Sequence, residues 1–257
     1  MLTRERFLDY DFIIAEKMES VIADIFDYRY DSKIDVLPII FTPNVDYIVK
    51  LNDKKYEKIK RRLQNSAFTL PDGQPIIWAS KMCGGNIRKR LPGSDLFSGL
   101  YSLVKTKKIV SLFLSPDGRV SDFFKKDFPD SYVITLPYIN LEDNVAFAKV
   151  IDRSVEFILK NDVKFVFIGI SFPKQDIIAL GILDKLRSRN YQSIPTLAMI
   201  GASLEFEAKI KKRAPLYFQN IGLEWFYRFL MEPKRLFKRY FIESFQFINI
   251  VRSSKWG

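Results

Sequence analysis

Asp72 stands in Leu-Pro-Asp-Gly, immediately after the short apolar run Ala67–Leu70. In a turn of this composition proline presets φ, aspartate hydrogen-bonds its own backbone and glycine supplies positive φ. Pro-Asp-Gly recurs at 116–118, so the tripeptide has two readings. It is a plain turn, or it holds a carboxylate at a strand end to take a proton from an attacking hydroxyl. What the chain lacks bears on the choice. It contains no histidine and one cysteine, Cys83. A Ser-His-Asp triad, a Cys-His dyad and an HExxH zinc site are therefore excluded. So are a cysteine–histidine zinc cluster and a disulfide within the chain. Cys83, beside Gly84 and Gly85, has no imidazole to activate it and reads as inert. Acid–base work falls to carboxylates, lysines or tyrosines.

Two further segments carry chemistry. In Gly169-Ile-Ser171-Phe-Pro-Lys174-Gln175-Asp176, glycine and serine permit close backbone approach, and Pro173 suits the first position of a helix. Lys174 and Gln175 would then sit at a helix N-terminus, where free N–H groups favour a phosphate. A tight strand-to-helix turn with a solvated lysine explains the same residues. Neither GxGxxG nor GxxxxGK[ST] occurs, which disfavours a standard dinucleotide fold or P-loop. Arg88-Lys-Arg90, ahead of Leu-Pro-Gly93-Ser-Asp95, is either a grip for a diphosphate or a solvated charge run.

The elements that must position these residues follow from the apolar pattern. Ile34–Phe41, Ala67–Leu70, Ile109–Leu114, Val163–Ile168 and Pro195–Ile200 read as buried strands. Val45–Leu63 reads as one or two helices, and Asp143–Leu159 has helical spacing. Strands alternating with helices predict an α/β fold, a single Rossmann-like domain whose mostly parallel sheet is covered on both faces. Such sheets bind ligands beyond the carboxyl ends of their strands. That rule selects Thr42-Pro-Asn44, Pro71-Asp72-Gly73, Gly169–Asp176 and Gly201-Ala-Ser-Leu-Glu205, which would converge on one edge.

Lys and Arg number 41 against 30 Asp and Glu, a formal charge of +11 that favours anionic partners. Residues 228–257 alone carry seven cations against two anions, and ten aromatics follow from Trp225 onward. A basic, aromatic-rich helical segment suits an anionic membrane surface. The alternatives are a terminal helix packed on the domain or a dimer contact, which leaves a homo-oligomer open. The N-terminus lacks the uninterrupted apolar core of a signal peptide, and no window is long and apolar enough to span a membrane. A cytoplasmic chain with peripheral membrane contact is expected. Its organisation is expected as an N-terminal helical segment (1–33), an α/β core (34–215) and a basic, aromatic-rich C-terminal helical appendage (216–257).

Taken in order, these segments resemble the WecG/TagA/CpsF family of bacterial glycosyltransferases. The resemblance rests on Thr42-Pro-Asn44, Pro71-Asp72-Gly73, Arg90-Leu-Pro-Gly93-Ser-Asp95, Gly169–Asp176 and Gly201-Ala-Ser-Leu-Glu205. Arg213-Ala-Pro215, Gly222-Leu-Glu224-Trp225 and Glu232-Pro233-Lys-Arg235 close the series. Each piece is weak alone, whereas the ordered set, from about residue 34 to 240, is specific.

The resemblance implies an inverting transfer of a hexose or N-acetylhexosamine type of sugar from a UDP-sugar to a polyprenol-diphosphate-linked acceptor. It implies no metal and no other cofactor, and a place on the inner face of the cell membrane in surface polysaccharide assembly. Asp72 matches the family's proposed base, with Thr42, Asn44 and Arg90 as neighbouring active-site positions. Gln175 and Glu205 match positions lining the nucleotide-sugar pocket. Gly73, Gly169, Ser171, Lys174, Asp176 and Gly201 complete the expected substrate-binding set. Arg228, Arg235 and Arg239 fall in the appendage, which in the family is thought to close over the site. Departures cluster on the donor side: Asp176 replaces the usual Glu, Glu205 the usual Asp, and Lys209 and Ser115 replace glycines. Two rival readings are a catalytically inactive membrane scaffold and a nucleic-acid-binding domain; against the latter, the basic and aromatic residues pile up in one terminal segment.

Overall fold

The computed structural model describes residues 2–215, 217–218, 224–231, 233 and 243–254. At its centre are eight strands in one sheet: β1 (Thr3–Phe7), β2 (Tyr10–Ile14), β3 (Leu37–Phe41), β4 (Ser66–Thr69), β5 (Ser111–Ser115), β6 (Tyr132–Thr135), β7 (Phe165–Ile168) and β8 (Thr196–Met199). Their order is β1-β2-β4-β3-β8-β7-β5-β6, and every pairing is parallel except the hairpin β1–β2. Strands β3, β4, β5, β7 and β8 are buried along their whole length. This is why they carry only small polar residues among the apolar ones and lack the strict alternation of a half-buried strand.

Nine helices of the core follow in chain order: α1 (Met18–Asp27), α2 (Val45–Leu51), α3 (Glu57–Leu63), α4 (Gln74–Met82), α5 (Gly93–Thr106), α6 (Gly118–Asp127), α7 (Asn144–Lys160), α8 (Lys174–Ser188) and α9 (Ser203–Glu207). A short 3-10 turn, Lys54–Tyr56, separates α2 from α3. Beyond them lie α10 (Glu224–Met231) and α11 (Glu243–Ser253). The apolar stripe of α5 (Leu96, Phe97, Leu100, Tyr101, Val104) and that of α8 (Ile178, Ala179, Ile182, Leu183, Leu186) show the helical spacing that fixes which side faces the sheet. Helices α2, α3, α4, α7 and α8 cover one face of the sheet, and α1, α5, α6 and α9 the other. The C-terminal α11 joins the first layer through buried Phe247.

Two expectations change. The N-terminal segment is not simply helical: residues 3–14 form the β1–β2 hairpin, which extends the sheet beyond β4, and only Met18–Asp27 is helical. Arg4 on the edge strand anchors it by donating from Nη2 to the Ala67 carbonyl at 2.6 Å. Strand β6, Tyr-Val-Ile-Thr, is a further strand beyond those expected. The α/β class and the mostly parallel sheet hold, and a helix closes the described C-terminus. None of the described helices is long and apolar enough to cross a membrane.

Strand β3 leads into α2 on one face, whereas its neighbour β8 leads into α9 on the other. Adjacent strands whose connections diverge in this way open a crevice at their carboxyl ends. The functional side chains collect there.

Candidate active site

A cavity of about 830 Å³ opens beyond the carboxyl ends of β3, β4, β7 and β8, with Thr42, Asp72, Ser171 and Gly201 on its wall. Each of the four follows a different strand. One face of each of three helices completes the enclosure: Tyr47 and Lys50 on α2, Trp78 and Met82 on α4, and Val251 and Arg252 on α11. The terminal helix lies against α2, so the C-terminal part of the chain forms a wall of the cavity.

The two Pro-Asp-Gly turns have different uses. At 116–118 the aspartate is a helix cap: Val120 N–H donates to Asp117 Oδ1 at 3.0 Å. That bond, opposed by burial and assisted by Arg119, holds the Asp117 carboxyl below its usual range. At 71–73 the aspartate side chain instead reaches the cavity. Its backbone N–H donates to the Pro43 carbonyl at 3.1 Å, and its Oδ2 accepts from Gly93 N–H at 3.4 Å. The turn is thus pinned to the end of β3 on one side and to the start of α5 on the other. Gly73 has φ +147°, a conformation that strongly favours glycine, and it caps α4.

Gly93 is required for a different reason. A Cβ there would lie 2.8 Å from Thr42 Oγ1, so a methyl group would drive Thr42 and the turn apart. Thr42 itself donates toward the Met199 carbonyl at 3.5 Å, joining β3 to β8 across the crevice. Asn44 caps α2 through Tyr47 N–H at 3.1 Å.

Charged groups surround the Asp72 side of the cavity. Arg90 Nη1 donates to Glu224 Oε2 at 3.0 Å, a largely buried ion pair between the core and α10. Arg213 pairs with Asp95. Burial would lower the Arg213 pKa, but Asp95, Glu224 and Asp72 outweigh it and hold the guanidinium charged.

Residues of α2, α8 and the turn after β8 carry a buried relay. Gly201 N–H donates to Gln175 Oε1 at 3.2 Å, Gln175 Nε2 donates to Tyr47 Oη at 3.1 Å, and Tyr47 donates onward to Asp176 Oδ1. Each group's bond fixes the orientation of the next, so the amide of Gln175 cannot flip without breaking two contacts. Asp176 is fully buried. Desolvation raises its pKa to about 7, against the lowering effects of the Tyr47 hydroxyl and its own N–H. Among the described residues its Oδ2 has no hydrogen-bond partner. Burial, with Asp176 close by, also raises the pKa of Tyr47 well above the usual tyrosine value.

Of the residues expected from sequence, Thr42, Asn44, Asp72, Gly73, Arg90, Ser171, Gln175 and Gly201 share this cavity. Four others lie off its wall. Gly169 is set against Leu204, where a Cβ would lie 2.3 Å from Leu204 Cδ1, and so acts in packing. Lys174 stacks its ammonium over the Tyr138 ring. Asp176 sits behind Tyr47. Glu205 pairs with Lys211 at 2.9 Å.

The phosphate site expected at the N-terminus of α8 is also engaged internally. Lys174 and Gln175 N–H both point to the Ser171 carbonyl, and Asp176 N–H meets its own carboxylate. Pro173 precedes the helix as its cap and does not open it. Of the appendage arginines, Arg228 belongs to α10, and Arg235 and Arg239 lie outside the described residues. Lys209, a departure from glycine, has φ +56°, in the left-handed region where glycine is most at ease.

Sequence reasoning missed Tyr47, Gly93, Lys50 and Arg252. Tyr47 had one available signal, its place one turn beyond the Asn44 cap; its partners stand some 130 residues away and gave none.

A family model described as the glycosyl transferase WecG/TagA/CpsF family matches residues 13–257. The chain is also similar to three curated proteins, each named N-acetylglucosaminyldiphosphoundecaprenol N-acetyl-beta-D-mannosaminyltransferase. That of Bacillus spizizenii (strain ATCC 23059 / NRRL B-14472 / W23) is 25% identical over 229 residues, 88% of this chain and 82% of the relative. That of Bacillus subtilis (strain 168) is 23% identical over 229 residues, 86% of this chain and 82% of the relative. The Staphylococcus aureus (strain MW2) protein is 26% identical over 180 residues, 68% of this chain but only 65% of the relative. The chain therefore matches just under two thirds of the staphylococcal protein's length.

Proposed function

The chain belongs to the WecG/TagA/CpsF family of glycosyl transferases, and on that premise we propose that it moves a sugar from a UDP-sugar to a polyprenol-diphosphate-linked acceptor. The relatives' names specify an N-acetylmannosaminyl group and an N-acetylglucosaminyl-diphosphoundecaprenol acceptor. A donor of hexose or N-acetylhexosamine type and a lipid-linked acceptor of the same general construction fit this reading. The observation that carries it is that Asp72 and the hydrogen-bonded Gln175–Gly201 pair line one cavity at the sheet's divergence point.

In the proposed step Asp72 accepts the proton of the acceptor hydroxyl as that oxygen attacks the anomeric carbon. The bond from that carbon to the UDP oxygen breaks with its electron pair on the leaving diphosphate. One displacement inverts the anomeric centre. Gln175, held by Gly201 and Tyr47, positions the donor. Arg90 on the cavity wall, together with Arg228, Arg235 and Arg239, offsets the charge on the departing UDP, a role that in other enzymes a metal ion fills. Exposed Phe226, Leu230, Met231 and Phe245 on α10 and α11, beside the basic charge of this segment, suit attachment to the inner face of the membrane during polysaccharide assembly.

The test is to incubate the purified protein with a polyprenol-diphosphate-linked N-acetylglucosamine and a panel of UDP-sugars in EDTA. Mass spectrometry of the lipid product should show one added sugar. No product with any donor would refute the reading, and product only on adding a divalent cation would remove the metal-free part of it.

A further inference from the structure

Helix α4 begins at Gly73, directly beside Asp72, and runs away from it along the cavity. Pro75, Trp78, Ala79 and Met82 recur at three- and four-residue spacing, so a single face of α4 lines the enclosure. Phe247, Ile248 and Val251 of α11 line the same enclosure. Large apolar side chains are usually covered, yet here Trp78 is 48% exposed, Met82 86% and Ile248 45%. All three line one cavity, on two helices, together with the buried Ala79 and Phe247. An apolar strip of this kind marks a surface that something else covers.

The charged and polar groups that share the cavity say what. Asp72 stands at one end, and the cations Lys50 and Arg252 are on the same wall as the apolar residues of α2 and α11. With a rise of about 1.5 Å per residue, Trp78 lies roughly 8 Å and Met82 roughly 14 Å along the axis from Gly73. That spacing matches the reach of a sugar ring followed by two phosphates before a hydrocarbon begins. A molecule with a polar end, two phosphates and an aliphatic tail fits a cavity that holds a carboxylate, cations and an apolar strip.

We propose that the apolar groove lined by α4 and α11 in this cavity is a binding site for the first isoprenoid units of the acceptor lipid, with Trp78 and Met82 as its principal contacts. The proposal rests on the acceptor reading above and adds to it where the lipid chain lies. Tryptophan offers a flat apolar face, and methionine an unbranched chain that adapts to a kinked hydrocarbon.

Two measurements test it. The first compares N-acetylglucosamine-diphosphate carrying a farnesyl group with the same compound carrying a methyl group, without vesicles and below the micelle-forming concentration. The wild type should favour the farnesyl compound in KM, and the double variant Trp78→Gln, Met82→Gln should narrow that preference about tenfold. An unchanged preference would overturn the proposal. So would a variant that lost only binding to anionic vesicles, since these residues would then touch bilayer and not acceptor. The second is calorimetric titration of farnesyl diphosphate into the wild type, the double variant and the single Met82→Gln variant, whose highly exposed site leaves folding intact. Binding should weaken about tenfold in the double variant and by a smaller factor in the single one; equal binding throughout would overturn the groove. Because the titration needs no turnover, loss of transfer with the binding difference retained would count against the function proposed above while leaving the groove standing.

Discussion

Arg90 and Glu224 stand 134 residues apart in sequence and meet at 3.0 Å, tying α10 to the loop that follows Cys83. Glu224 is only 6% exposed, so the contact is a sheltered one. Its consequence is that α10 shares a charge network with the Asp72 side of the cavity.

Arg90→Ala should therefore loosen the C-terminal segment as well as weaken catalysis. Removing one partner of a largely buried pair costs about 2 kcal/mol or more. Chymotrypsin should cut beyond residue 215 faster in this variant, and turnover should fall about tenfold or more. Unchanged proteolysis with lowered turnover would separate the two roles and deny the structural one.

The buried carboxyl of Asp176 gives a pH signature. Its folded pKa, near 7, is raised above the ordinary aspartate value of 3.8. The native state therefore holds a proton that the unfolded chain gives up between these values. Stability from this source is complete below about pH 4 and is lost as pH rises through 7, in all on the order of 4 kcal/mol. Urea midpoints should fall between pH 5 and pH 8 in the wild type and much less in Asp176→Asn. Equal slopes in the two proteins would show that another group is responsible.

Tyr47→Phe deletes the hydroxyl at the middle of the relay and leaves Gln175 Nε2 and Asp176 Oδ1 each short of a partner. The cost should be about 1–3 kcal/mol in stability. The donor KM should rise several-fold while the acceptor KM moves little, because Gln175 faces the Gly201 side of the cavity. A change confined to the acceptor would place the relay on the wrong substrate.

Gly93→Ala tests the packing under the proposed base. The added methyl meets Thr42, and the Gly93 N–H that holds Asp72 must shift with it. Turnover should drop at least tenfold, with the fold retained by circular dichroism. Near-normal turnover would mean that Asp72 tolerates displacement and is not held for catalysis.

How much of this could be read from the chain depends on the range of the interactions. Buried parallel strands declare themselves as β-branched and aromatic runs, and the strand-end rule then located Thr42, Asp72, Ser171 and Gly201 on one edge. The hairpin was silent for a local reason. Leu8 and Asp9 occupy its turn with φ of 50° and 67°, positions where Asn-Gly would have announced the bend. Strand β1, Thr-Arg-Glu-Arg-Phe, is a charged edge strand without an apolar run. The relay was silent because each contact joins distant parts of the chain. Gly169 and Glu205 illustrate the converse: a residue can belong to a recognisable motif and serve the packing or a surface pair around the site.

The most direct measurement concerns Asp72. With a lipid-diphosphate acceptor and the matching UDP-sugar, UDP release by Asp72→Asn should fall about a hundredfold or more in kcat, with donor KM and melting temperature close to wild type. Asparagine keeps the size of the side chain and its acceptor oxygen for Gly93 N–H, while the proton-accepting carboxylate and its charge are removed. Wild-type kcat in this variant would contradict the assignment of Asp72 as the base.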